Sequence, residues 1–193
     1  MEQAGFRARG TAARRAAGDP GETGSAGRDE LNRAGQESHL TQQGRFELDE
    51  SALEAWGRAV GAAVAPPVVF ALHGDLGAGK SVLARAIAHG AGVQASMPSP
   101  TFNLLFRYET RDRTISHLDL YRLIDPEEVW ELGWRELGED HEIVLIEWPE
   151  RAEALLPEPR WAVTLDPSPH GAHLRIVTVA SVGQPATIPM PVV

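Results

Sequence analysis

Pro67-Val-Val-Phe-Ala-Leu-His-Gly-Asp-Leu-Gly-Ala-Gly-Lys-Ser-Val-Leu-Ala-Arg-Ala-Ile-Ala-His-Gly-Ala-Gly92 is the stretch whose reading decides the fold. Its first apolar run, Val68 to Leu72, reads as a short buried strand. The run breaks into Gly74-Asp75-Leu76-Gly77-Ala78-Gly79-Lys80-Ser81, a G-x-x-x-x-G-K-S loop. Beyond Ser81, the apolar residues Val82, Leu83, Ala86 and Ile87 recur at helical spacing. A strand, this loop and a helix in that order are what a phosphate-binding P-loop requires.

Each residue type has a physical task. Gly74, Gly77 and Gly79 allow positive φ and a close backbone approach to an anion. The N–H groups of the loop, from Gly74 through Asp75, Leu76 and Ala78 to Ser81, can then converge on phosphate oxygens. The following helix adds the positive end of its dipole. Lys80 supplies charge for the β- and γ-phosphates, and the Ser81 hydroxyl can ligate Mg²⁺. Lys80 is the only lysine of the chain, beside seventeen arginines. A chance glycine-rich turn would produce such a pattern in on the order of one chain in a hundred of this length.

Downstream, the alternating pattern Phe102-Asn-Leu-Leu-Phe-Arg-Tyr-Glu109, a polar turn at residues 110–113 and Ile115-Ser-His-Leu-Asp-Leu-Tyr-Arg122 predict a β-hairpin. Asp125-Pro126-Glu127-Glu128 predicts the N-cap, N1 proline and acidic first turn of a short helix that Gly133 ends. Its inward residues would be Val129, Leu132 and Trp130. Ile143-Val-Leu-Ile-Glu147 reads as a buried strand ending in a carboxylate. Ligands of doubly wound sheets lie beyond the carboxyl ends of the strands, so Glu147 would project toward the metal of the P-loop. Trp161–Asp166 and His173–Val179 predict a closing hairpin.

Upstream, residues 45–49 predict a short strand, and Ser51-Ala-Leu-Glu54 a capping box. The helix it opens carries Leu53, Trp56, Val60 and Val64 on its apolar face, with Trp56 in the core, and Pro66-Pro67 stops it. Residues 1–44 hold few large apolar side chains and read as a disordered extension. Four arginines against one glutamate in residues 1–18 loosely resemble a transit peptide, but an unstructured extension in an arginine-biased proteome is the better reading. Residues 45–180 form the domain, and 181–193, with three prolines, read as a loose tail.

With 193 residues and no cysteine, the chain has length for one sizeable core and excludes disulfides, thiolate metal sites and cysteine nucleophiles. No apolar run is long enough to span a membrane, which suggests a cytoplasmic protein. Residues 46–193 carry 11 basic and 21 acidic side chains, a net −10. So acidic a domain is a poor candidate for gripping RNA or DNA by its phosphates. No histidine pair has metal-ligand spacing, and no nucleophile elbow is present.

Taken together, GDLGAGKS, SPTF at residues 99–102, HLDLYR at 117–122, the DPEE helix start and the IEWPE strand resemble the TsaE (YjeE-type) family. These are bacterial ATPases of tRNA threonylcarbamoyladenosine biosynthesis. The resemblance spans roughly residues 45–180. It implies an α/β P-loop NTPase fold with a mixed, largely parallel central sheet flanked by helices, and ATP and Mg²⁺ as ligands. It implies partners TsaB and TsaD, with tRNA met only indirectly and no DNA or membrane involved. Residue by residue, Gly74 to Ser81 match the ATP loop, and Ser81 and Glu147 the Mg²⁺ side. Thr101 and Asp119 match polar positions around the γ-phosphate, and Glu50 a position near the nucleotide. Asp119 or Glu147 would orient the attacking water, and Arg122 is a candidate arginine finger. Most members carry Thr where this chain has Ser81, and either hydroxyl serves a metal. Two alternatives stand beside this reading: a small-molecule P-loop kinase, and a nucleotide-dependent switch with little turnover of its own.

Overall fold

The computed structural model describes residues 40–98 and 104–192, with the side chains of the first strand from Gly44 onward. The first strand, β1 (Leu40–Asp49), runs straight into helix α1 (Glu50–Ala63). Strand β2 (Val68–His73) leads through the glycine-rich loop into α2 (Lys80–Gly90). The hairpin of β3 (Leu105–Glu109) and β4 (Thr114–Asp119) follows, then two 3₁₀ turns, Pro126–Leu132 and Trp134–Glu136. Strand β5 (Glu142–Glu147), a 3₁₀ turn at Pro149–Leu155, and the strands β6 (Arg160–Pro167) and β7 (Leu174–Val182) complete the order.

Among the described residues these strands make one sheet in the order β1-β7-β6-β2-β5-β4-β3. The ladders joining β6, β2, β5 and β4 are parallel, while both outer margins pair antiparallel. This is the mixed sheet expected from the sequence. The central strands β2 and β5 read as continuous apolar runs because both of their faces are covered.

Alternate residues divide between the two faces. Phe70, Leu72, Ile143 and Leu145 face the cluster that includes Leu53, Val60, Leu83 and Ile87 from the two helices. Val69, Ala71, Val144 and Ile146 face Val129, Trp134, Leu137 and Ala152 from the 3₁₀ turns. Each fully buried aliphatic side chain contributes on the order of 1.5–3 kcal/mol. The helices approach each other closely because glycine lies at the contact: a Cβ on Gly61 would stand 1.8 Å from the Ile87 carbonyl oxygen, and one on Gly90 2.1 Å from that of Arg58.

Four local expectations need correcting. The N-cap of α1 is Asp49, whose Oδ1 accepts the Ala52 N–H at 2.7 Å. Ser51 is already helical, because the strand hands over to the helix earlier than the Ser51–Glu54 pattern suggests. β1 begins at Leu40, within the stretch expected to be disordered; residues 1–39 lie outside the described residues. The segment after Val182 does not hang free. Trp56 Nε1 donates to the Pro189 carbonyl and Trp161 Nε1 to that of Ala186, both at 2.8 Å, and Ile188 joins the core. Proline-rich sequence cannot continue a ladder, but its free carbonyls make it a good acceptor strap for indoles. The helix expected after Asp125 is present as a 3₁₀ turn, with the Asp125–Glu128 capping box formed and Gly133 ending it at φ 73°; Trp130, expected inward, is exposed, its indole N–H donating to Glu127 Oε2 on the same turn.

Candidate functional site

The loop after β2 uses its glycines where the chain demands them. Gly74 stands at φ 136°, where a Cβ would lie 2.4 Å from the Leu165 carbonyl oxygen, and Gly79 at φ 109°. Gly79 is also the N-cap of α2 and has no side-chain cap, so the first N–H groups of that helix keep no internal acceptor. This is the arrangement that attracts an anion.

Lys80, almost fully buried, curls back over the loop. Its Nζ donates to the carbonyls of Gly74 at 2.5 Å and Asp75 at 2.9 Å, and lies 3.6 Å from the Trp148 ring centroid. Two of its three protons are thereby placed, and the third remains for a ligand. Burial pulls its pKa down, while Glu147, Glu150 and Asp119 push it back up.

Opposite the loop, parallel pairing of β4 with β5 sets Asp119 beside Glu147. Glu147 is buried at the end of β5 and is engaged on both oxygens. Ser81 Oγ donates to Oε2 at 2.7 Å, and His117 Nε2 lies 2.8 Å from Oε1. Asp119 Oδ1 accepts the Tyr121 N–H at 3.0 Å. Burial is the main cause that raises the Asp119 pKa, with the neighbouring Glu147 adding to it against that hydrogen bond. Trp148, directly after Glu147, takes a left-handed conformation at φ 58°. This turns its ring onto Lys80 and against Tyr121, centroids 4.8 Å apart. A non-glycine residue there stores strain, which is common at ligand sites.

These groups surround a cavity of about 610 Å³, ample for a nucleotide. Leu76, Gly77, Ala78, Gly79, Lys80, Ser81, Asp119, Glu147 and Glu50 all line it. Gly74 and Asp75 do not line it and contribute the carbonyls that hold Lys80. Arg122 is exposed and outside the lining, and Thr101 lies outside the described residues. Sequence reasoning missed Trp148, Tyr121, His173 and Arg175 in the lining. Arg175 reaches from β7 to the Ala78 carbonyl at 3.1 Å, a contact that no local pattern announces. Trp148 and Tyr121 did carry a signal, since they lie inside the IEWPE and HLDLYR stretches, one residue after Glu147 and two after Asp119.

A glycine-rich anion loop between a parallel strand and a helix, faced by a carboxylate that holds the loop serine, defines a nucleotide-binding protein of the P-loop class. The family model described as "Threonylcarbamoyl adenosine biosynthesis protein TsaE" matches residues 48–174. The chain is 37% identical over 117 residues to the tRNA threonylcarbamoyladenosine biosynthesis protein TsaE of Haemophilus influenzae, covering 61% of this chain and 74% of that protein. Its identity to the protein of the same name from Rickettsia bellii is 43% over 117 residues, covering 60% and 81%. A solved structure, "Crystal structure of Bacillus subtilus YdiB", superposes with a TM-score of 0.61 at 25% identity, covering 75% of this chain and 88% of that one. The chain belongs to the TsaE family.

Proposed function

We propose that this chain binds and hydrolyses ATP with Mg²⁺ as the nucleotide-driven subunit of threonylcarbamoyladenosine formation at position 37 of tRNAs that read codons beginning with A. Its partners in this reading are TsaB and TsaD, and its compartment the cytoplasm. The observation that carries it is the hydrogen bond from Ser81 to Glu147, made where Lys80 and the uncapped end of α2 converge. The residues fit the ligands. One hydroxyl and one carboxylate suit a small hard cation that takes its other oxygens from phosphate and water. The loop N–H groups and Lys80 suit the phosphates themselves.

Ser81 would hold the cation, with Glu147 behind it, and Gly74 to Ser81 would cradle the triphosphate. Bound Mg²⁺ supplies neutralisation of charge on the β- and γ-phosphates. The remaining N–H of Lys80 would donate to a phosphate oxygen, and the loop N–H groups would stabilise its charge without reorganisation. Asp119, with a carboxyl more ready to accept a proton than usual, orients the attacking water. No helix among the described residues is long and apolar enough to cross a membrane.

The acidic domain makes tRNA binding by this chain alone weak and strongly salt-dependent. The test is multiple-turnover modification of such a tRNA by purified TsaB and TsaD, with and without this protein, following γ-labelled phosphate in parallel. Yield beyond one round and free phosphate should both require this chain. Unchanged yield on omission overturns the reading, and label transferred to a small metabolite would make the protein a kinase instead.

A further inference from the structure

His117 is fully buried, and only one of its ring nitrogens has a partner. Nε2 meets Glu147 Oε1 at 2.8 Å, whereas the buried Nδ1 has none. A nitrogen that faces a carboxylate oxygen at this distance carries the proton. Nδ1 is left without a partner among the described residues, a standing cost that an aliphatic side chain would avoid. The imidazole is placed by the sheet itself. His117 lies two residues before Asp119 on the same face of β4, and Asp119 is in register with Glu147 on β5.

We propose that His117 is a positioning residue that acts through Glu147 on the Ser81 hydroxyl. With Oε1 held by His117, the carboxylate is fixed so that Oε2 receives the Ser81 proton at 2.7 Å. A hydroxyl has one proton and two lone pairs. Committing the proton to Glu147 leaves both lone pairs of Ser81 for a divalent cation. The same tether keeps Glu147 from turning toward Asp119, which among the described residues accepts only the Tyr121 N–H. The two carboxylates thereby stay distinct, one engaged on both oxygens and one facing the cavity. This rests on the reading of Ser81 as the cation-side hydroxyl.

The experiment measures binding of a fluorescent ATP analogue to the full chain in EDTA and across a Mg²⁺ titration. It compares the unmodified protein, His117→Phe and His117→Gln. The Phe variant keeps an apolar body without a donor, and the Gln variant keeps an N–H at similar reach. Outer partners of this kind typically tune metal affinity about 10–100-fold. His117→Phe should raise the Mg²⁺ half-saturation by that order and leave metal-free binding unchanged, while His117→Gln stays near the unmodified protein. Equal half-saturation in the Phe variant overturns the proposal, as does a Gln variant as impaired as Phe. If the unmodified protein gains no affinity from Mg²⁺, the cation-side reading of Ser81 fails and this inference with it. Should the Phe variant not fold, ¹⁵N shifts of the unmodified protein decide. An Nε2-protonated His117 supports the inference, and an Nδ1-protonated ring overturns it.

Discussion

The two walls of the cavity are built by different means. One wall is contiguous sequence: Leu76 to Ser81, with Gly74 and Asp75 behind them, bend the chain around the place of an anion, with backbone groups as the working parts. The other wall is assembled across strands: Asp119 and Glu147, with His117 buried behind them, come together only because β4 and β5 run parallel in one register. The first wall tolerates little change in backbone geometry, whereas the second depends on which side-chain atoms face each other. A contiguous wall can be read directly from spacing, and an assembled one only once the strand pairing is known.

The largest effect should come from the contiguous wall. Lys80→Ala removes the sole lysine and its contacts to two loop carbonyls, and hydrolysis should be abolished. A charge-assisted contact of this kind is worth about 1.5–3 kcal/mol, or roughly 10- to 150-fold in ATP affinity by calorimetry. If affinity and phosphate release both stay normal, the loop is not the nucleotide site.

On the assembled wall, Glu147→Gln and Asp119→Asn should both lower turnover, but they should part company in stability. Glu147 anchors Ser81 and His117, so its loss should lower the melting temperature. Asp119 is a carboxyl whose pKa the fold raises. Its folded state therefore binds the proton more tightly than the unfolded chain does. Its charge is not yet a burden at pH values below the unfolded pKa of about 3.9, and stability is lost as pH rises through the folded pKa. Asp119→Asn should accordingly melt higher than the unmodified protein at neutral pH, with the advantage vanishing in acid. Thermal melts across pH check this, and a variant that melts lower at neutral pH would show that Asp119 holds the fold together.

The smallest effect should follow truncation of the chain after Gly183. Two indole hydrogen bonds, each worth about 0.5–1.5 kcal/mol net, and the burial of Ile188 would be lost. A modest fall in melting temperature with ATP binding intact is expected, because the strap lies outside the cavity lining. Impaired nucleotide binding in that variant would mean that the strap supports the contiguous wall.

What the sequence made legible follows the same division. The loop, its flanking strand and helix, the β3–β4 hairpin and the acidic end of β5 all announce themselves through local period and spacing. The docked strap did not, because its partners Trp56 and Trp161 lie 133 and 25 residues away along the chain. The cap at Asp49 was hidden by a competing Ser51–Glu54 pattern two residues further in. His117 belonged to a recognisable HLDLYR stretch, yet its partner Glu147 is 30 residues distant and only the ladder reveals the pair.

The sheet order has a consequence for how the protein is made. Among the described residues β1 pairs only with β7, the last strand, and the strap that closes over Trp56 comes later still. During vectorial synthesis the loop, α2 and the central strands can collapse early, but β1 must wait for nearly the whole chain. Such long-range pairing is slow and leaves an unpaired edge exposed in the meantime. A ribosome stalled before β7 would therefore present a nascent chain with its P-loop elements made and its first strand still unmatched.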